Sequence, residues 1–261
     1  MVVIDAHTHF ASVGKGSPPN TPEDLVAVMD SNKIDAMITT PPYSSISFDR
    51  TYDEPNMFIH EAMGKYPKRI FGFARINPHF RQKAVERAER FLKMGFWGIK
   101  FHPRNEAHAA NDERLVFPIV RKVEELGGGV LFHTGQPDTY GFAQPTLCGD
   151  VADNFPEVPI IIGHMGKGLF DDAILVAKWF DNVILETSFR DPHNIEKAVS
   201  VIGPERVVYG SDFYMGGPAG PEIEMMKIKL ADLSERDKRM ILGDNINRIL
   251  KMGVTSHFGG D

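Results

Sequence analysis

Eight short runs of apolar, largely β-branched residues punctuate this chain, at positions 2–6, 36–40, 70–76, 98–102, 130–133, 160–164, 183–187 and 207–211. Each is near-continuously apolar instead of alternating, which is how strands read when both faces of their sheet are covered. Helical patterns fill the intervals. Thr21-Pro22-Glu23-Asp24 supplies an N-cap, a first-turn proline and acidic residues at the positive helix end, ahead of Leu25, Val28 and Met29. Ala84, Val85, Ala88, Phe91 and Leu92 mark a second apolar face, and Leu115, Val116, Ile119, Val120, Val123 and Leu126 a third. Ile174, Leu175, Lys178 and Trp179 suggest another helix, and Ser234 opens a last one carrying Met240, Ile241, Ile246, Ile249 and Leu250. Eight strand-then-helix units with right-handed crossovers predict an α/β fold, a closed (β/α)8 TIM barrel. It would form one domain over 1–261, with 253–261 as a mobile tail. An open Rossmann-type sheet would want a G-x-G-x-x-G turn after the first strand, where this chain has histidines.

A chain of 261 residues that is 42% hydrophobic can bury a barrel-sized core. Its 29 basic and 35 acidic residues leave a net charge of -6 with no basic cluster, which disfavours nucleic acid and anionic membranes and points to a small-molecule substrate. Cys148 is the sole cysteine, so no internal disulfide can form, and a reducing compartment fits. No apolar stretch approaches the roughly 20 residues that span a bilayer, and cytoplasm is the expected location. A homodimer is expected from the frequency of such assemblies among soluble enzymes.

The connections are unequal, and that inequality places the site. Strand-to-helix loops are long, at 10–20, 41–55, 135–147 and 213–221, whereas helix-to-strand loops are short, at 31–33, 95–96, 127–129 and 181–182. In a barrel the long set falls at the C-terminal ends of the strands, where such proteins carry their chemistry. His9, His102, His133, His164 and Asp212 all fall at that end. On an extended strand His7 and His9 share a face about 7 Å apart. Together with His133 and Asp212 they offer three imidazole nitrogens and a carboxylate oxygen, a donor set suited to zinc and its neighbours. A bound divalent ion, one or two in number, would yield hydroxide near neutral pH, with Asp212 as proton acceptor and donor. His164, between Gly163 and Gly166 neighbours that permit close approach, is a ligand or an acid/base. Lys100 lies in an apolar strand and must meet a carboxylate, a substrate anion or, once carboxylated, two metals. His102 at the rim is a candidate for touching substrate, and Arg50 in the second long loop is a candidate clamp for a substrate carboxylate, with Arg75, Arg104 and Arg190 behind it. His60, His79, His108, His193 and His257 read as solvated, and the 12 methionines with Phe96 and Trp97 as core.

This set of residues resembles the amidohydrolase superfamily, specifically the amidohydrolase-related branch of TIM-barrel metal-dependent hydrolases and decarboxylases. The likeness rests on Asp5-Ala6-His7-Thr8-His9, Gly98-Ile99-Lys100-Phe101-His102-Pro103, Phe132-His133-Thr134-Gly135, Gly163-His164-Met165-Gly166 and Tyr209-Gly210-Ser211-Asp212. A closing Leu242-Gly243-Asp244-Asn245-Ile246-Asn247-Arg248-Ile249-Leu250 completes it. The resemblance implies a divalent metal, commonly zinc, on His7, His9, His133 and Asp212, with His164 beside it and Lys100 leaving the metal count open. It implies either hydrolysis of a small amide, lactone or related carbonyl compound, or nonoxidative decarboxylation of an aromatic or muconate-like acid. The chain is shorter than typical decarboxylases of the branch, which favours hydrolysis as the main expectation and decarboxylation as the alternative. A metal-binding barrel without catalysis is the third.

Overall fold

The computed structural model describes residues 1–10, 21–42, 51–135, 141–217 and 219–258. Eight parallel strands appear in chain order, β1 (Ile4–His9), β2 (Ala36–Thr40), β3 (Ile70–Arg75), β4 (Gly98–Phe101), β5 (Gly129–Phe132), β6 (Ile160–Ile162), β7 (Val183–Glu186) and β8 (Val207–Val208). Every strand pairs with the next, from β1 through β8. The seam between β8 and β1 is drawn together by backbone bonds from Ala6 N to Tyr209 O (2.9 Å), His9 N to Phe213 O (2.8 Å) and Asp212 N to His7 O (2.8 Å). Asp5 reinforces it, because its carboxyl accepts from Ser211 N at 2.9 Å and Ser211 Oγ at 2.5 Å. The result is a nearly closed (β/α)8 barrel.

The helices form where the sequence places them. Thr21 caps α1 (Pro22–Asn32) in a reciprocal box with Asp24. After it come α2 (Asp53–Lys65), α3 (Gln82–Lys93), the one-turn α4 (Pro103–Glu106), α5 (Phe117–Leu126), α6 (Pro145–Asn154), α7 (Phe170–Trp179), α8 (Pro192–Ile202) and α9 (Gly220–Leu230). Leu115 and Val116 precede α5 instead of belonging to it. Ser234 caps α10 (Glu235–Arg239) as expected, but a π turn at Met240–Asp244 separates it from α11 (Asn245–Ile249). The π turn presses onto β1: a Cβ on Gly243 would stand 2.3 Å from Val2 O, so only glycine fits. No helix among the described residues is long and apolar enough to cross a membrane.

Two packed layers share the burial. Ile4, Ala6, Ile38, Phe73, Leu131, Ile161 and Val208 fill the barrel, whereas Leu25, Ile59, Phe91, Val120, Val151, Ala177 and Ile195 pack helices on its outside. Strands covered on both faces explain the near-continuous apolar runs. Through Phe258 the tail makes hydrogen bonds to the rest of the barrel. Val254 N bonds Asn247 Oδ1 at 3.0 Å, Ser256 Oγ bonds Met1 O at 3.2 Å and His257 N bonds Asp35, which tie it to the barrel. Residues 259–261 lie outside the described residues.

Candidate metal centre and active site

Parallel pairing puts all eight strand ends on one face, and closure of the seam decides which side chains meet there. The backbone bond from Asp212 N to His7 O sets Asp212 beside the first strand although 205 positions of chain separate them. Asp212 Oδ1 then lies 3.0 Å from His9 Nε2 and 3.4 Å from His7 Nε2. Metal–ligand bonds of ~2.1 Å at tetrahedral or octahedral angles require donor separations of ~3.0–3.4 Å. His7, His9 and Asp212 therefore fit one divalent ion, and they are a group whose donor atoms all lie within 4.8 Å of one another.

The tautomer of His7 is fixed from behind. Its Nδ1 lies 2.8 Å from Glu186 Oε2, so Nδ1–H donates to the carboxylate and the lone pair is left on Nε2, facing Asp212. Glu186 also accepts from His164 N at 3.0 Å, Ser188 N at 2.5 Å and Ser188 Oγ at 2.9 Å. Burial pushes it up to about 7 in spite of those bonds. The sequence reading missed Glu186, which closes an apolar strand at the same end of the barrel as the expected site residues. A second donor grouping of His7, His164 and Glu186 shares these hydrogen bonds.

The remaining expected residues are placed as follows. His164 follows β6, which ends at Ile162, and its left-handed backbone (φ 60°, ψ 19°) turns the ring into the mouth. Asp212 is also left-handed, at φ 51°, so two of the expected site residues sit in backbone wells that side chains rarely adopt. His164 Nδ1 lies 2.6 Å from Ser188 Oγ and its Nε2 3.1 Å from His133 Nδ1. His133 stacks on His102 with ring centroids 3.8 Å apart, and its buried Nε2 has no partner among the described residues. His133 thus stands next to His164, outside the three-donor group. Lys100 meets an imidazole: its Nζ is 2.9 Å from His7 Nε2, and burial pushes it down to about 7. Arg50 lies outside the described residues.

Burial lowers the proton affinity of His7, His102, His133 and His164 well below the ordinary imidazole range, with Lys100 adding to the effect on each. Burial alone would raise Asp212, but His7, His9 and Lys100 outweigh it and hold the carboxyl below its usual range. The mouth thus presents neutral lone pairs beside one ionised carboxylate. A pocket of about 110 Å³ opens over this group, walled by His9, His102, His133, His164 and Asp212, and on the outer side by Lys167, Phe189 and Met215. A larger hollow of about 510 Å³ lies at the opposite end, against Gly95, Trp97, Gly127 and Pro159, and none of the expected site residues lines it.

Arg75 is not a free clamp. It is fully buried, with Nε 2.8 Å and Nη2 2.5 Å from Glu106 Oε1, while Glu106 Oε2 accepts from His102 N at 2.8 Å. Arg104 is exposed, and half-buried Arg190 does not line the pocket. His193 and His257 are exposed as expected. His108 is instead buried, its Nε2 3.8 Å from Glu106 Oε2, and His79 reaches Glu106 O at 2.5 Å. Met215 lines the pocket and Met226 is exposed, so neither belongs to the core. Thr134 Oγ1 bonds Gly163 O at 2.7 Å, and a Cβ on Gly135 would stand 2.3 Å from Gly166 O, so the turns after β5 and β6 are pressed together.

Residues 4–252 match the family described as Amidohydrolase. Among solved structures, 5-carboxyvanillate decarboxylase of Sphingomonas paucimobilis is similar at 17% identity and a TM-score of 0.75, over 97% of this chain and 99% of that one. 2,6-Dihydroxybenzoate decarboxylase from Rhizobium matches at 16% identity and 0.74, over 96% and 99%. A dihydroxybenzoic acid decarboxylase of a Polaromonas species, with bound manganese and the inhibitor 2-nitroresorcinol, matches at 18% identity and 0.74, over 99% of both chains. At such identities the likeness is one of fold.

Proposed function

This chain belongs to the Amidohydrolase family, and from that premise we propose that it is a metal-dependent, nonoxidative decarboxylase of an aromatic acid. The observation that carries the reading is the His7–His9–Asp212 donor group opening into a small pocket walled by imidazoles and Phe189. The sequence favoured hydrolysis because the chain is short, but decarboxylase structures are matched over 99% of their own length, so shortness no longer weighs against decarboxylation.

His7, His9 and Asp212 would hold the ion, with His133 Nε2 available at its margin. The chemistry supplied by a bound divalent cation is Lewis acidity, which draws negative charge from a substrate oxygen. Two imidazoles and a carboxylate suit zinc, the expectation from sequence, and also manganese. Asp212 is ionised and takes a proton as the acid is seated, then delivers it to the ring carbon bearing the carboxylate. The carbon–carbon bond breaks, its electron pair returns to the ring and carbon dioxide leaves. The proton Asp212 takes comes from a ring hydroxyl, and solvent restores it to that oxygen once carbon dioxide has left, so Asp212 ends as the carboxylate it began. His164, neutral and held by Ser188, orients the carboxylate-bearing face and can pass protons between its two nitrogens. His102 walls this site, and Lys100 lies buried beneath it against His7 Nε2. Exposed Trp179 on α7 and Ile223, Met226 and Leu230 on α9 support a homodimer, which sedimentation tests.

The deciding experiment offers hydroxybenzoic acids, lactones and cyclic amides to metal-loaded protein in isotopic water. Carbon dioxide release with one solvent deuterium on the vacated ring carbon is expected. Solvent oxygen in an opened lactone or amide, with no carbon dioxide from any acid, would replace this reading by hydrolysis.

A further inference from the structure

Among the described residues lining the pocket, Lys167 is the only lysine or arginine, and the chemistry above gives it no task. Its position is set by the same turn that aims His164. Lys167 N bonds His164 O at 2.9 Å, Leu169 N bonds Gly166 O at 2.7 Å, and left-handed Gly166 and Gly168 bracket it. The ammonium stands 4.3 Å from the centroid of the Phe189 ring, an attraction that holds it at the pocket wall without neutralising it. No carboxylate or other acceptor pairs with it among the described residues. Other described lysines also lack a carboxylate partner, but Lys167 is the one that lines this pocket.

Charge matching among the described lining residues points to a partner on the substrate. Asp212 is the only carboxylate among the described lining residues. A divalent ion in the donor group more than neutralises it, and an acid bearing one carboxylate would leave the Lys167 ammonium unmatched. We propose that Lys167 is a specificity-determining residue that pairs with a second acidic group of the substrate, so that the preferred substrate is a diacid. Its ring or unsaturated chain lies along Phe189, with one carboxylate toward His7, His9 and Asp212 and the other acidic group at the part-exposed rim. The orientation of the first carboxylate rests on the decarboxylase reading, whereas the pairing with Lys167 does not.

The test is calorimetric binding of benzoate and of the three benzenedicarboxylates to zinc-loaded protein, in the wild type, Lys167→Met and Lys167→Arg. At least one dicarboxylate should bind the wild type about tenfold tighter than benzoate, because a charge-assisted pair is added. Lys167→Met should abolish that preference while leaving benzoate binding within about twofold, Lys167→Arg should keep most of it, and added salt should shrink it. The proposal is overturned if no dicarboxylate outbinds benzoate, if neither class binds, or if Lys167→Met weakens both alike. Carbon dioxide release separates the two readings. A Lys167-dependent diacid preference without carbon dioxide from any acid would keep the anchor and remove the decarboxylase. Turnover of diacids with the same KM in wild type and Lys167→Met would do the reverse.

Discussion

Glu186→Gln exchanges one oxygen of a buried carboxylate for an amide NH2, and its effect on metal binding can be worked from the contacts. Oε2 receives His7 Nδ1 at 2.8 Å, His164 N at 3.0 Å and Ser188 Oγ at 2.9 Å, and Oε1 receives Ser188 N at 2.5 Å. If the amide nitrogen takes the Oε2 place, it opposes two N–H groups and drives the His7 proton to Nε2, the atom that faces Asp212. If it takes the Oε1 place, Ser188 N–H is orphaned and His7 keeps only a neutral hydrogen bond, roughly half as strong as a charge-assisted one. Loss of such a supporting carboxylate weakens metal binding by roughly 10–100-fold, or about 1.4–2.7 kcal/mol. An orphaned buried N–H costs a further ~1–3 kcal/mol of stability, so a Tm drop of roughly 2–12 °C is expected. The assay is competition between the protein and a chromogenic chelator for zinc and for manganese, with His7→Ala as the variant that loses metal outright. A folded Glu186→Gln protein that holds both metals within about twofold of wild type would refute the argument that His7 is a ligand aimed by Glu186.

In the metal-free protein, the stability contributed by Asp5 and Glu186 should fall as pH rises. Burial raises Asp5 from 3.8 to about 8 and Glu186 from 4.5 to about 7, so both bind protons more tightly folded than unfolded. Their contribution is complete below the unfolded values and is lost as pH climbs through 7 and 8. The buried imidazoles and Lys100, whose proton affinities are lowered, act in the opposite direction, so the test is the difference between wild type and Asp5→Asn in thermal melts. The Tm of wild type minus that of the variant should fall from roughly pH 5 to 9, and a difference that rises across that range would contradict it. Glu106→Ala strands the fully buried Arg75 guanidinium and frees His102 N, and should cost ~3–5 kcal/mol in denaturant unfolding. Arg75→Met with Glu106→Met together should lose less than Glu106→Ala alone, and equal or greater loss would remove the stranded charge as the cause.

Much of the barrel is legible in the sequence because strand formation here is a local matter. Val183-Ile184-Leu185 or Ile160-Ile161-Ile162 declares a doubly covered strand by its own composition, and Thr21 with Asp24 declares a helix start by its own side chains. Boundaries slipped where tertiary contacts extend or cut a strand. β1 continues to His9 because Phe213 offers a backbone partner, and β6 stops at Ile162 because His164 must turn left-handed. Glu186 carried the same strand-end signature as His133 and Asp212, yet nothing near it in sequence says that it faces His7, 179 positions away. Arg75 and Glu106 illustrate the same limit, as does His108, since a charge reads as exposed until its buried partner is known.

What the chain determined by itself was an alternation of apolar runs and amphipathic helices, and with it the face on which imidazoles and carboxylates would collect. Distances were decided only by closure of the barrel. The 3.0 and 3.4 Å gaps around Asp212, the lowered proton affinity of the buried imidazoles and the Lys167 ammonium over Phe189 depend on chain segments that meet far from one another in sequence. Hydrogen bonds and desolvation act over a few ångströms of space, and only the folded ring supplies those neighbours.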